Sequence, residues 1–116
     1  MLFPAPLLQA ITDGFDAAIY AKDKDLRFAY VNPYLAALSD SKVEQVIGKK
    51  DSDFMSLEDC DKVNSADKRV ISQKRPEILS HIIEINGMNY KIIDHKFPID
   101  INGSNGVAGI CFLTPA

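Results

Sequence analysis

The spacing of apolar and polar positions changes character twice along the chain. In "PLLQAITDG" Pro6 suits the first turn of a helix and Gly14 its end, with Leu7, Leu8 and Ile11 forming one stripe. This predicts a short amphipathic helix at the N-terminus. "FDAAIYAKD" then reads as a strand, "KDKD" as a polar turn, and "LRFAYV" as a second strand. In that second strand Leu26, Phe28 and Tyr30 lie on one face and Arg27 and Ala29 on the other, so the pair predicts a hairpin of two strands.

The strand pattern stops at Asn32-Pro33. An asparagine can accept an orphan backbone N–H at a helix start, and a proline in the first turn forfeits no hydrogen bond. "PYLAALS" is therefore a short helix with Leu35 and Leu38 on its buried side, and "SKVEQVIG" a second one closed by Gly48. The longest helical stretch is "SLEDCDKVNSADKRVISQK". Cys60, Val63, Ala66, Val70 and Ile71 make its apolar face, Ser56 and Asp59 have the spacing of a capping box, and Pro76 marks its end. The last third returns to a period of two. "EILSHIIEI", "NYKIIDHKFPI" and "GVAGICFLT" are separated by Asn-Gly pairs, the signature of an antiparallel meander.

Five strands with the helices inserted between the second and third define an α+β domain whose helices cover one face of the sheet. The natural ligand site is between the sheet and the long helix. Inward positions expected to wall it are Ile19, Phe28 and Tyr30 on the hairpin, Leu38 on the first inserted helix, Val63, Val70 and Ile71 on the long helix, and Ile93, His95 and Cys111 on the later strands. In "IIDHKFPI", His95 shares a face with Ile93, Phe97 and Ile99, while Asp94 and Lys96 point the other way. A filled apolar core without a cavity is the competing reading of the same residues.

At 116 residues the chain suits one domain, divided into an N-terminal helical cap over 1–14 and the main fold over 15–116. The net charge of −3, with lysines and arginines interspersed among acids, argues against direct contact with nucleic acid. Cys60 and Cys111 form no framework or metal motif and read as reduced thiols. With no run long enough to span a membrane and no basic n-region at the start, the expected compartment is cytoplasmic, without membrane contact by this domain.

Catalytic chemistry finds no foothold. Asn32 has no nucleophile or base beside it in "YVNPY", and no phosphate loop, dinucleotide fingerprint or hydrolase triad order is present. Asp51, Asp53, Glu58, Asp59 and Asp61 lack the spacing of a calcium loop and are read as caps and a solvated helix face. His81 and His95 are two histidines where structural zinc takes four ligands, so no metal is expected. The domain is read as no enzyme.

Several segments, in order, carry a family resemblance. "IYAKDKDLRFAYVNPYLAALS", "VIGKKDSDF" and "KFPIDINGSNGVAGICFLT" resemble the first hairpin, the Gly-Lys-x-Asp segment and the last hairpin of PAS domains, from about Phe15 to Thr114. The C-terminal "FLTPA" departs from the Asp-Ile-Thr with which the family often exits. The resemblance implies a PAS-like fold and a sensory or regulatory module within a longer signalling protein of bacterial type. It binds a small molecule, pairs with a second copy, or does both, to control a histidine kinase, diguanylate cyclase or DNA-binding output. Among the family's cofactors, haem calls for an axial histidine on the long helix, and none lies between Ser56 and Lys74. Covalent flavin calls for Asn-Cys-Arg-Phe, which is absent. The ligand stays unassigned. Leu2, Phe3, Leu7, Leu8 and Ile11 are too apolar for a free tail and are the expected homodimer interface, the basis of an alternative reading as a ligand-free interaction module.

Overall fold

A computed structural model describes residues 5–116. The elements run α1 (Ala5–Asp13), β1 (Ala18–Lys22), β2 (Phe28–Val31), α2 (Pro33–Leu38), α3 (Val43–Val46), a 3₁₀ turn (Asp51–Asp53), α4 (Leu57–Gln73), β3 (Glu77–Ile85), β4 (Met88–Ile101) and β5 (Ser104–Pro115). The five strands form one antiparallel sheet in the order β2-β1-β5-β4-β3, so the first and last strands pair at its centre. The helices between β2 and β3 cover one face, as the sequence predicts.

Local chemistry accounts for the element ends. The β3–β4 and β4–β5 turns place Asn86 and Gly87 at φ 50° and 80°, and Asn102 and Gly103 at 50° and 81°. Positive φ at both central positions matches the twist of a tight hairpin, and Asn-Gly is the pair that adopts it most readily. On α4 the Ser56 hydroxyl accepts from the Asp59 backbone N–H, and the helix closes on Lys74 in the left-handed region.

Asn32 proves to be more than a cap. Its Oδ1 accepts from the Leu35 N–H at the start of α2 and from the Ile19 N–H of β1, both at 3.1 Å. Its Nδ2 donates to the Ala17 carbonyl at 2.8 Å and the Thr12 carbonyl at 3.0 Å. The buried amide thus ties α1, β1 and α2 together.

The hairpin differs from its predicted alternation. Tyr30 lies opposite Ala21, whereas Phe28 lies opposite Lys22, so Ala29 is an extra residue in a β-bulge. A bulge reverses the faces on its two sides. Phe28 and Val31 therefore point inward, and Tyr30 points outward, where its hydroxyl donates to the Thr12 hydroxyl of α1 at 2.6 Å. Leu26 is buried against Val70 and Val107, but from the turn rather than from a strand.

Candidate functional site

The inward face of the sheet is set by Ala18, Tyr20 and Lys22 on β1 and by Ile92, Asp94 and Lys96 on β4. This overturns the face chosen from hydropathy. Ile19 on β1 and Ile93 and His95 on β4 lie on the outer face, with Ile93 42% exposed and His95 edge-on to the Phe112 ring. Tyr30 is outward because of the bulge. Val70 packs with Leu26 and Val107, with Ile71 beside it, and neither Val70 nor Ile71 lines the interior cavity. Of the expected wall residues, Phe28, Leu38, Val63 and Cys111 do border the interior cavity. His81 is opposite Ile92 on the inner face and His95 opposite Ile78 on the outer, so the two histidines do not meet. Among the described residues no cluster has the make-up of a metal site.

The inner face carries charge. Lys22, Asp67 and Lys96 are at most 1% exposed, and Asp51 and Asp94 are 4% exposed. Asp67 sits on the buried stripe of α4 between Val63 and Val70. Its two oxygens bridge the two strands, Oδ1 accepting from Lys96 Nζ at 2.6 Å and Oδ2 from Lys22 Nζ at 2.7 Å. Lys22 also donates to Asp51 Oδ2 in the 3₁₀ turn, an oxygen that the Asn64 amide reaches at 2.9 Å. Lys96 pairs in addition with Asp94 Oδ2 at 3.0 Å and donates to the Tyr20 hydroxyl at 2.7 Å. That hydroxyl in turn donates to the Asp94 carboxylate at 3.0 Å.

Gly109 makes the Tyr20 contact geometrically possible. It faces Tyr20 on one side and Lys96 on the other in a single row across three strands. A Cβ at position 109 would overlap the tyrosine hydroxyl and ring carbons. Without it, the ring lies over β5 and reaches Lys96.

Burial and neighbouring charge shift three of these groups, Asp67, Lys22 and Tyr20. Burial disfavours ionised Asp67, but Lys22 and Lys96 outweigh it and hold the carboxyl below the ordinary aspartate range. Burial likewise opposes the Lys22 ammonium, yet Asp51 and Asp67 together raise its pKa. Tyr20 is pushed well above its usual value, first by burial and then by Asp94 and Asp67, and remains a neutral phenol. Burial, with Asp94 adding to it, pushes the Cys111 thiol up to about 12; burial, with Asp51, takes Cys60 to about 11. Neither cysteine offers a thiolate for covalent chemistry at neutral pH.

Beside the network is a cavity of about 60 Å³. Its apolar walls include Leu35, Leu38, Met55, Val63, Ile83 and Ile85, and its polar edge is Tyr20, Lys22, Asp51 and Asp94. A smaller lobe of about 40 Å³ adjoins it between Phe28, Val46, Phe54 and Asp51. On this measure one water needs roughly 10–15 Å³, so the main cavity has room for several waters or a small organic molecule.

Sequence reasoning missed Lys22, Asp51, Asp67, Asp94 and Lys96 as site residues. The available signal was Asp67 within the repeat Cys60, Val63, Asp67, Val70, an acid at a core position of the long helix.

The profile of the family described as the PAS fold matches residues 12–113, most of the chain. The chain belongs to that family. Solved structures agree on the fold. VqmA of Vibrio cholerae, in a complex with ligand and DNA, superposes with a TM-score of 0.83 at 16% identity over 96% of this chain and 52% of VqmA. VqmA bound to DPO gives 0.82 at 16% identity, covering 95% of this chain and 58% of that one. A PAS domain from a two-component sensor histidine kinase gives 0.74 at 12% identity, covering 94% and 95%. The chain thus spans only about half the length of VqmA. No curated protein matches the sequence. Among the described residues no helix is long and apolar enough to cross a membrane.

Proposed function

We propose that this domain senses a small molecule held between the sheet and α2 and α4, and passes its occupancy to an output domain in a longer chain. The observation that carries the reading is the interior cavity, apolar on most sides and edged by hydrogen-bonding groups, the usual character of a ligand site. The fold is the one in which VqmA binds DPO, and a sensor histidine kinase also carries it. Haem and covalent flavin fit poorly, since α4 presents no histidine and both thiols are held protonated. Native mass spectrometry of the purified protein, set against its denatured mass, tests the proposal. A mass excess lost on denaturation is the expected result. No excess, together with no thermal stabilisation by a panel of metabolites, would overturn it.

A second reading, compatible with the first, is pairing of two copies through α1. Leu7, Leu8 and Ile11 are exposed and α1 buries none of its own residues, so its apolar stripe has no partner within the described residues. Leu2 and Phe3, the other expected interface residues, lie outside the described residues. Deleting residues 1–12 should lower the sedimentation coefficient to that of a monomer; an unchanged value would remove this reading.

A further inference from the structure

The charges around the cavity do not balance. Lys22 and Lys96 face Asp51, Asp67 and Asp94, so five buried side chains carry a formal charge of −1. Both ammonium groups are already engaged. Lys96 Nζ has Asp67, Asp94 and Tyr20 as partners. Lys22 Nζ has Asp51 and Asp67, and it lies 5.1 and 5.2 Å from the centres of the Tyr20 and Phe28 rings. The carboxylates are less fully used. Asp51 is 4% exposed and borders both lobes of the cavity, and only its Oδ2 meets protein donors. Its Oδ1 accepts no hydrogen bond among the described residues, and it is not among the fully enclosed unpartnered atoms, of which His81 Nε2 is the one found. That oxygen is therefore not sealed off by protein, and the residue that carries it lines both lobes of the cavity.

We propose that the cavity takes a small organic cation, a protonated amine or N-protonated heterocycle. Its N–H group would donate to the free oxygen of Asp51, and its apolar body would lie against Leu35, Met55, Ile83 and Ile85. The inference rests on the ligand-sensing reading and adds the charge class of the ligand. The oxygen has no protein donor, and a charge-assisted bond from a cation would supply one while bringing the formal charge of the buried groups to zero. An anionic ligand would meet the carboxylates of Asp51 and Asp94, with both lysines already committed.

The test uses three probes with one aromatic carbon skeleton and different heads: benzylamine, benzyl alcohol and benzoate. Each is titrated into the 116-residue chain at pH 7, and binding is read from the methyl resonances of the cavity isoleucines Ile83, Ile85 and Ile92. Benzylamine should bind at least about tenfold more tightly than benzyl alcohol, the scale of one hydrogen bond to a charged group, and benzoate more weakly than both. Asp51→Asn should bring benzylamine down to the level of the alcohol. Benzyl alcohol or benzoate binding as tightly as benzylamine overturns the inference and leaves the sensing reading standing. Absence of any response to all three also overturns the inference, while the sensing reading is decided separately by native mass spectrometry and the metabolite panel. The series on the unsubstituted chain decides the charge preference even if Asp51→Asn does not fold.

Discussion

Replacing Asp67 by asparagine removes the one carboxylate that holds both buried lysines. The side chain keeps its size, and one oxygen can still face one ammonium, but the new NH₂ group is turned toward the other. Asp67 is fully buried, with contacts of 2.6 and 2.7 Å to the two Nζ atoms, so water cannot take its place. Removing one partner of a buried ion pair typically costs about 3–5 kcal/mol, because the remaining charge is left uncompensated. For a domain of this size about 4 °C of Tm accompanies each kcal/mol, so Tm should fall by about 12–20 °C. Urea denaturation followed by far-UV circular dichroism at pH 7 measures the loss, with an unchanged m confirming that the folded state stays compact. The pH dependence gives an independent reading. Asp67 titrates below its unfolded value when folded, so its contribution is fully present above the unfolded aspartate pKa of about 3.9. It is lost as pH falls below that value through the depressed folded pKa. The parent and Asp67→Asn should differ most above pH 5 and converge in the acid range. A loss under about 1 kcal/mol, in the range of exposed pairs, would refute the picture of a dry, ionised network.

Three further substitutions probe the frame around the site. Asn32→Ala removes four side-chain hydrogen bonds and strands buried partners at Ala17 and Ile19, so equilibrium unfolding should show a loss of about 3 kcal/mol, beyond the roughly 1 kcal/mol of a cap; Asn32→Asp, which keeps the two accepted bonds, should fall between. Gly109→Ala drives a methyl into Tyr20 and should lower stability by about 1–3 kcal/mol in thermal denaturation, with less than additive cost when combined with Tyr20→Phe. Leu8→Glu on the exposed stripe of α1 should leave unfolding within about 0.5 kcal/mol of the parent but shift sedimentation toward the monomer; a dimer that persists argues against pairing through α1.

The elements were legible because their signals are local. Asn86-Gly87 and Asn102-Gly103 can hardly be anything but tight turns, Asn32-Pro33 starts a helix by its own chemistry, and the periods of α4 and β4 are written in their side chains. The faces were less legible. Along β4 two alternating sets compete, Ile93, His95 and Phe97 against Ile92, Asp94 and Lys96, and hydropathy chooses the first. The second is inside because Asp94 and Lys96 neutralise one another and find Tyr20 and Asp67, partners that lie 74 and 29 residues away along the chain. No window along one strand contains that information. The bulge is similarly silent, since Ala29 is an ordinary strand residue whose extra position appears only once β1 is paired with β2.

The misread face is informative in itself. A domain stabilised by burial alone would turn Ile93 and Phe97 inward and leave Asp94 and Lys96 in water. Here the apolar pair is 42% and 39% exposed while the charges are buried. Replacing buried ion pairs by well-packed apolar groups is often neutral or stabilising, so stability gives no reason for the arrangement. Two things follow from it instead. Lys22, Asp51 and Asp94, with the Tyr20 hydroxyl, set the polar edge of the interior cavity, where an all-apolar interior would have no means of orienting a polar ligand. On the far side of the sheet, Ile78, Ile82, Ile93, Phe97 and Phe112 are left to water, on the same side as the Tyr30 contact to α1. Departures from local rules tend to fall where a protein does something other than fold. Both departures here come from one choice of face, which puts charge beside the cavity and leaves apolar side chains on the opposite side of the sheet.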